Sequence, residues 1–307
     1  MERMKISIMC NSNAQILSAN YDNLRTKGAA VYQMAPCTPT QMMGYVIRTA
    51  GGKLFCIDGG TVGDTDGFMM LARRAAACPD GEKLHIDGWF LTHPHLDHVD
   101  VCFEAFRRLS DTFTLDRLYL NFPSTFYQET YEPGDAKTMH AYDALHDRFR
   151  DIETIVHAGD RLDFDDVVFD ILTEPDESIT VNTGNNSSVA IRMTLEGQRV
   201  LFLGDMGVEE GNAMAERYSE EELHADFVEA AHHGQNGVDY PVYFKIKPRA
   251  VLWCAPDWLW TNNAGGGYGT GSWKTFHVRC CMDDIGVKHH FVEKDGIWEI
   301  PFPYNFD

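Results

Sequence analysis

The stretch Phe90-Leu91-Thr92-His93-Pro94-His95-Leu96-Asp97-His98 decides how this chain of 307 residues is interpreted. It completes an apolar run over residues 86–91, which predicts a buried strand that ends just before the histidines. A tight turn after a strand can aim His93 and His95 to the same side. Pro94 stiffens that turn because its own φ is fixed and the residue before it is held extended.

The two residues that end this stretch complete the pattern H-x-H-x-D-H. Asp97 and His98 begin the next predicted helix and face back toward the same point. Imidazole nitrogens and carboxylate oxygens bind zinc at about 2.0–2.2 Å, and catalytic sites leave one position open for water. We therefore predict that His93, His95, Asp97 and His98 are metal ligands.

The composition of the chain disfavours some classes of binding partner. Acidic residues outnumber basic ones by 46 to 26, which gives a formal net charge of −20. Proteins that bind long nucleic acids carry basic surfaces, so a long nucleic acid partner is disfavoured and a small-molecule substrate is expected. No run approaches the roughly 18 apolar residues of a membrane span. The apolar part of the N-terminus is too short for a signal peptide, so we expect a cytoplasmic protein. Nothing in the sequence indicates an oligomeric state.

The order of predicted elements indicates one α/β domain over residues 1–307, with two β-rich halves at roughly 1–160 and 161–307. No linker rich in Pro, Gly or Ser separates the halves. In the first half the pattern predicts five early strands, at Lys5–Met9, Gln15–Ala19, Ala30–Met34, Met43–Thr49 and Lys53–Ile57.

Further polar residues stand at the ends of predicted strands. Asp205 follows the apolar strand 199–203, where a carboxylate can bridge two cations about 3.5–4 Å apart. The sequence His232-His233-Gly234 follows another apolar strand. Asp58 ends an early strand, where it either supports the metal-binding loop or serves as a turn residue before the next helix.

With these residues the chain resembles the metallo-β-lactamase-fold hydrolase superfamily. Within it, three segments resemble the branch that contains the competence protein ComEC and phosphorylcholine esterase: Asn185-Asn186-Ser187-Ser188-Val189, Leu203-Gly204-Asp205 and His232-His233-Gly234. The resemblance implies a four-layer αββα sandwich. It also implies two divalent metal ions, for which zinc is the expected identity and manganese or iron the alternatives.

The resemblance also implies roles for individual residues. One metal ion is expected on His93, His95 and Asp205, and the other on Asp97, His98, His233 and Asp205. His232 would handle protons beside Asp97 and Asp205, although His232 and His233 could exchange roles. Asp58, Asn185 and Asn186 are expected to support the ligands or to contact substrate. Many superfamily members carry a histidine where Asn185 or Asn186 stands, so one metal position is expected to be labile or to depend on His157. His157 itself fits an ordinary strand-end residue better.

The expected chemistry is attack by metal-activated hydroxide on an ester-type centre, most often a small phosphodiester in the branch that the chain resembles. Lactonase, β-lactamase-like or thioester hydrolase activity is the alternative on the same fold. A metal-binding protein without turnover is the alternative outside enzymes.

Overall fold

The computed structural model describes residues 5–6, 24 and 27–307. The strands are β1 Lys5–Ile6, β2 Ala29–Gln33, β3 Gly44–Arg48, β4 Leu54–Asp58, β5 Leu84–Ile86, β6 Gly88–Leu91, β7 Phe113–Leu115, β8 Leu118–Leu120, β9 Glu153–Ile155, β10 Arg161–Asp163, β11 Val167–Ile171, β12 Ile191–Leu195, β13 Gln198–Phe202, β14 Phe227–Glu229, β15 Ala250–Trp253, β16 His289–Val292 and β17 Ile297–Phe302.

The α-helices of the same described residues are numbered in chain order. They are α1 Thr65–Ala75, α2 Leu96–Arg108, α3 Thr125–Tyr131, α4 Ala136–Phe149, α5 Thr183–Asn186, α6 Val208–Arg217, α7 Glu220–Leu223, α8 Tyr240–Ile246, α9 Asp257–Trp260 and α10 Thr275–Ile285. Short 3-10 turns occupy Val62–Asp64, His232–Gly234 and Glu293–Asp295.

Two large sheets organise the chain. The first has the strand order β1-β17-β2-β3-β4-β6-β8-β9, and the second has the order β10-β11-β12-β13-β14-β15-β16. In the first sheet β4, β6, β8 and β9 run parallel, and in the second β13, β14, β15 and β16 do. The second half of the chain returns to the first sheet through β17, which pairs with β2.

The two sheets pack face to face through a dense aromatic and aliphatic layer. Phe169 on β11 lies with its ring centroid 5.1 Å from that of Phe55 and 4.6 Å from that of Phe90. Tyr45 on β3 similarly contacts Phe202 on β13, at 5.0 Å between ring centroids. These side chains are buried completely, so they bind the sheets to each other through their apolar area.

Helices cover the outer face of each sheet. Amphipathic α1 and α2 place Phe68, Leu71 and Phe103 in one core with Trp89 of the first sheet. On the second sheet α6, α8 and α10 bury their apolar residues in another core, which includes Trp253. The layers are therefore helix, sheet, sheet, helix, and the predicted αββα fold class is confirmed.

Three of the five early predicted strands are confirmed as β2, β3 and β4, with ends shifted by one residue or so. Of the strand predicted at Lys5–Met9, the structure describes Lys5–Ile6, which pairs with β17. The strand predicted at Gln15–Ala19 lies outside the described residues. Within the described part of the chain, no helix combines the length and the apolar character needed to cross a membrane.

Removing a ring from between the sheets should be costly. We expect Phe169→Ala to lower the free energy of unfolding by about 3–5 kcal/mol, because the lost contacts leave a cavity that packed sheets cannot close. Urea denaturation measures this change. Phe126→Ala removes the same atoms from a side chain that is 78% exposed and should change stability little. Equal effects of the two substitutions would contradict this account of the core.

Candidate metal centre

The predicted ligands come from loops that follow parallel strands. His93 and His95 follow β6, whereas Asp205 follows β13 and His233 follows β14. Because the carboxyl ends of parallel strands meet at one edge of a sheet, residues far apart in the chain arrive at one place. Asp97 and His98 lie in the first turn of α2 and face the same place.

Asp205 lies between two groups of side chains. Its Oδ1 atom is 3.1 Å from Nε2 of His98 and 3.5 Å from Nε2 of His233, and its Oδ2 atom is 3.8 Å from Nε2 of His93. Oδ2 of Asp97 is 3.4 Å from Nε2 of His233. Two atoms that bind one cation at roughly 2.1 Å lie at most about 4.2 Å apart, so all these separations suit shared cations.

The side chains form two groups that share Asp205. In each group the candidate ligand atoms lie within 4.8 Å of one another; the groups are Asp97, His98, Asp205 and His233, and His93, His95 and Asp205. These are the same two sets that the sequence predicted. The sharing of one carboxylate between them is the arrangement expected for a pair of cations.

Five of the candidate ligand atoms make no hydrogen bond within the described part of the chain. This is true of Nε2 in His93, His95, His98 and His233 and of Oδ1 in Asp205, all of which are buried. A buried polar atom without a partner costs about 1–3 kcal/mol, and five such atoms facing one another are unusual unless something binds them. The residues present therefore fit a pair of divalent cations.

Hydrogen bonds at the other ring nitrogens set the tautomers. The hydroxyl of Thr92 donates to Asp58 over 2.7 Å, so it must accept from Nδ1 of His93, 3.0 Å away. Nδ1 of His98 lies 2.7 Å from Asp58, and Nδ1 of His233 donates to the carbonyl of Cys254 over 2.9 Å. In each ring Nε2 is left with its lone pair facing the cluster, as a metal ligand requires.

The buried charged groups shift one another's pKa values. Burial alone would raise the pKa of the Asp205 carboxyl, but the rings of His98 and His233 outweigh it and hold its pKa well below its usual range. Burial, followed by the neighbouring rings of His98 and His95, lowers the pKa of His93 well below its usual value. Burial opposes charge on His98 too, yet Asp205 and Asp58 raise its pKa.

Asp58 lies where it can support the metal-binding loop. Its carboxylate is fully buried and accepts hydrogen bonds from the backbone N–H of Thr92 at 2.8 Å and from the Thr92 hydroxyl. With the contact to His98 it orients both ends of the motif. Its backbone also turns sharply, with φ of 51°, where β4 ends.

His232 and His233 occupy strained backbone. Their φ values are 52° and 56°, a left-handed region that residues other than glycine seldom adopt. With this backbone conformation the two rings lie at different positions around Asp205. His233 is buried within the ligand group, whereas His232 is 18% exposed at its side chain, with Nε2 3.7 Å from Oδ2 of Asp205.

Asn185 and Asn186 stand where many superfamily members carry a histidine, and neither belongs to a ligand group. The amide of Asn186 donates to Val181 and Glu209, and that of Asn185 donates to Asn182. Oδ1 of Asn185 is buried and makes no hydrogen bond within the described residues. Both side chains therefore hold the turn, and only this oxygen is left for another contact.

His157 lies outside both groups. Its side chain is 60% exposed, and Nδ1 is 2.7 Å from a carboxylate oxygen of Glu174. Of the two options, dependence of a metal position on His157 is wrong, and its role as a strand-end residue fits the structure. A strand-end histidine resembles a ligand in sequence, but β9 is the edge strand of its sheet and points this residue to solvent.

Other supporting residues escaped prediction from sequence. Gln41 donates to Oδ2 of Asp97 over 2.8 Å and accepts from Gln235. The carboxylate of Glu229 accepts from the backbone N–H groups of Leu203 and Gly204, just before Asp205. Burial, and secondarily Asp58, raises the pKa of Glu229 to about 8. In the sequence, Glu229 could have been noticed as an acidic residue within an apolar strand. No feature of the sequence distinguishes Gln41.

A cavity of about 310 Å³ opens beside the cluster. Its lining residues are Thr40, Gln41, Thr61, His95, Leu96, Asp97 and Asp135. Among these described residues none is Lys or Arg. The cavity gives small molecules access to both ligand groups through His95 and Asp97.

A family model, described as the Metallo-beta-lactamase superfamily, matches residues 38–263, which include every residue of both ligand groups. The chain belongs to the metallo-beta-lactamase superfamily. Members of this superfamily are mostly metal-dependent hydrolases with dinuclear metal sites. A search of curated proteins found no match.

Solved structures with this fold resemble the chain at low sequence identity. The metallo-beta-lactamase fold protein YhfI from Bacillus subtilis has 12% identity and a TM-score of 0.51, over 88% of this chain and 99% of YhfI. CmlA, a diiron beta-hydroxylase from Streptomyces venezuelae, has 12% identity and a TM-score of 0.49, over 94% of this chain and 60% of CmlA. These likenesses concern the fold of the superfamily.

The carboxylate of Asp58 offers a test of how the cluster is oriented. We expect Asp58→Asn to weaken metal binding by about 10–100-fold, because an NH2 group replaces one of the two oxygens that accept from the Thr92 N–H, the Thr92 hydroxyl and His98. Competition with a chelator measures the affinity.

Asp226→Asn is the matched control for the Asp58 substitution. Asp226 accepts a backbone hydrogen bond from Arg199 over 2.9 Å and lies at the opposite end of β14 from the cluster. It should lower stability while leaving metal affinity unchanged. Unchanged affinity in a folded Asp58→Asn protein would refute the orienting role.

Proposed function

We propose that this protein is a metal-dependent hydrolase of small phosphodiesters or phosphoesters, with His93, His95 and Asp205 on one cation and Asp97, His98, His233 and Asp205 on the other. The single observation that carries the proposal is the position of Asp205 between two ligand groups. A cation pair bridged in this way suits in-line displacement at phosphorus, because it can stabilise both the attacking and the leaving oxygen.

When bound, such a pair lowers the pKa of water to about 7 and polarises the bond under attack. The chain's own residues provide the rest. Asp58 and Thr92 keep the Nε2 lone pairs of His98 and His93 directed inward. His232 is partly exposed beside the cluster and belongs to neither ligand group, so it can exchange a proton between the leaving group and solvent.

The cavity supports a small substrate. Its volume of about 310 Å³ is at the lower end of the roughly 300–1,000 Å³ typical of ligand pockets. Because none of its described lining residues is Lys or Arg, the negative charge of a phosphoester would have to be balanced by the cations themselves. The net charge of −20 also disfavours a long polyanion.

The motif resemblance supports phosphorus as the reacting centre. The segments Asn185–Val189, Leu203–Asp205 and His232–Gly234 resemble the branch of ComEC and phosphorylcholine esterase. Together with the shared Asp205, this favours a phosphodiester over the other substrates of the superfamily.

A neutral ester, such as a lactone, a β-lactam or a thioester, is the second candidate. The cavity lining favours it, because a neutral substrate needs no cationic side chain. A metal-binding protein without turnover is the third. Hydrolysis assays with a panel of substrates distinguish the three candidates.

The test measures hydrolysis of bis-p-nitrophenyl phosphate, a chromogenic lactone, a chromogenic thioester and a cephalosporin by protein loaded with zinc, manganese or iron. We expect turnover of the phosphodiester, and we expect Asp205→Asn to reduce it by at least about 100-fold, since loss of a shared ligand should exceed the usual effect of its supporting partners. Removal of metal by a chelator should abolish it.

Asp66→Asn is the control for the Asp205 substitution. Asp66 is 71% exposed and pairs with Arg108 at the far end of α2, so activity should be unchanged. Turnover of a neutral ester alone would replace the phosphodiester proposal with the second candidate. Full metal occupancy without hydrolysis of any substrate would favour the binding protein.

A further inference from the structure

The cavity beside the cluster offers few hydrogen-bond donors to a ligand. None of its described lining residues is Lys or Arg, and its uncharged donors include the side chains of Thr40, Thr61 and Gln41. The hydroxyl of Thr61 already donates to Asp64 over 2.6 Å, and the hydroxyl of Thr40 pairs with that of Thr38 over 2.5 Å. The side-chain amide of Gln41 differs from both because it carries two N–H groups.

Two hydrogen bonds fix the orientation of the Gln41 amide. Its Nε2 atom donates to Oδ2 of Asp97 over 2.8 Å, and its Oε1 atom accepts from Nε2 of Gln235, also over 2.8 Å. An ionised carboxylate accepts hydrogen bonds and donates none, so the NH2 end must face Asp97 and the oxygen must face Gln235. The amide cannot turn over without losing both bonds.

The backbone on each side of this contact is held as well. Met43, two residues after Gln41, donates its N–H to the carbonyl of Asp97 over 3.0 Å. Gln235 is only 6% exposed, and its N–H donates to the carbonyl of His232 over 2.8 Å. Gln41 and Gln235 come from opposite halves of the chain, so their contact joins the two sides of the cluster. The position of the Gln41 amide is therefore set before a ligand arrives.

One N–H of the Gln41 amide has no partner within the described residues. The contact with Asp97 uses only one of the two. Gln41 lines the same cavity as the candidate ligands His95 and Asp97. A molecule in this cavity can therefore accept from the second N–H without displacing the bond to Asp97.

A neutral donor suits this position. Attack at phosphorus increases the negative charge on the phosphoryl oxygens, and a fixed N–H at such an oxygen stabilises that charge most in the transition state. A Lys or Arg at position 41 would pair with Asp97 and compete with a cation for its carboxylate. An amide donates to Asp97 and keeps an N–H for the substrate.

We propose that Gln41 is a catalytic residue whose second N–H donates to a phosphoryl oxygen of the substrate, and that Gln235 is a positioning residue that fixes the Gln41 amide. This inference rests on the proposed hydrolase function. It goes beyond support of Asp97, because that support alone would affect the binding of metal and leave the substrate untouched.

The experiment uses the full-length protein at saturating zinc or manganese. It measures the bound ions per chain, the affinity for inorganic phosphate by titration calorimetry, and kcat and KM for bis-p-nitrophenyl phosphate. Gln41→Met keeps the length of the side chain and removes its hydrogen bonds. We expect it to retain two ions, to lower kcat by about 100-fold with a smaller change in KM, and to weaken phosphate binding by about 3–10-fold. Gln41→Glu can accept from Gln235 but offers no N–H, so its kcat should fall as far.

Substitution of Gln235 tests the positioning role. Gln235→Met leaves the Gln41 amide in place but free to turn, so kcat should fall by less than in Gln41→Met. Combined with Gln41→Met it should add no further loss, because the amide that it positions is then absent. Additive losses would refute the positioning role.

Gln198→Met is the matched control. Gln198 also joins distant segments, since its amide donates to the carbonyl of Tyr304 over 2.9 Å and accepts from the N–H of Tyr304 over 2.6 Å. It begins β13, whereas Asp205 follows the other end of that strand. The substitution should lower stability and leave ion content, phosphate affinity and kcat unchanged.

The possible outcomes separate this inference from the proposed activity. Wild-type kcat and phosphate affinity in Gln41→Met would overturn the substrate contact. Loss of a bound ion from Gln41→Met at saturating metal would also overturn it, because Gln41 would then serve Asp97 alone. A wild type that hydrolyses no phosphodiester, yet binds phosphate more tightly than Gln41→Met does, would overturn the activity and support the Gln41 donor. A wild type that neither hydrolyses the diester nor binds phosphate would overturn both.

Discussion

The fully buried carboxylate of Asp58 is the constraint on which the cluster depends. It contacts a backbone N–H, a hydroxyl and an imidazole, all from the stretch between β6 and α2. An isolated buried charge is costly, and partners that donate to it reduce that cost. The same contacts leave the lone pairs of His93 and His98 facing Asp205. Stability of the fold and readiness of the cluster to bind a cation therefore rest on one set of hydrogen bonds.

The parallel parts of the two sheets explain why the cluster lies where it does. β4 and β6 deliver Asp58 and His93 to one edge, and β13 and β14 deliver Asp205 and His233 to the facing edge. The apolar layer around Phe169 fixes the sheets relative to each other, so these edges meet. Neither half of the chain holds enough donors alone for two cations. The inter-sheet core therefore determines the geometry of the cluster from a distance along the strands.

Much of this could be predicted from sequence because the relevant signals are local. A strand followed by H-x-H-x-D-H places its polar residues at a strand end, and Gly204-Asp205 does the same in the second half. The failures concern tertiary contacts. His157 follows a strand as the ligands do, but it follows an edge strand and pairs with Glu174 in solvent. Glu132 and Asp135 carried no signal in the sequence, because only the folded chain brings the segment between α3 and α4 against His95.

Gly184 lies where the turn before Asn185 approaches the ring of His95. Its missing side chain allows the turn to approach Nε2 of His95, and a Cβ there would stand at 2.1 Å. The carboxylate of Glu132 holds that turn by its backbone N–H, which leaves the turn unable to move away. A side chain at position 184 would need the turn or the ring of His95 to move, and the hydrogen bonds of Asn185 and Asn186 oppose movement of the turn. The turn therefore contributes backbone, and no imidazole, on this side of His95.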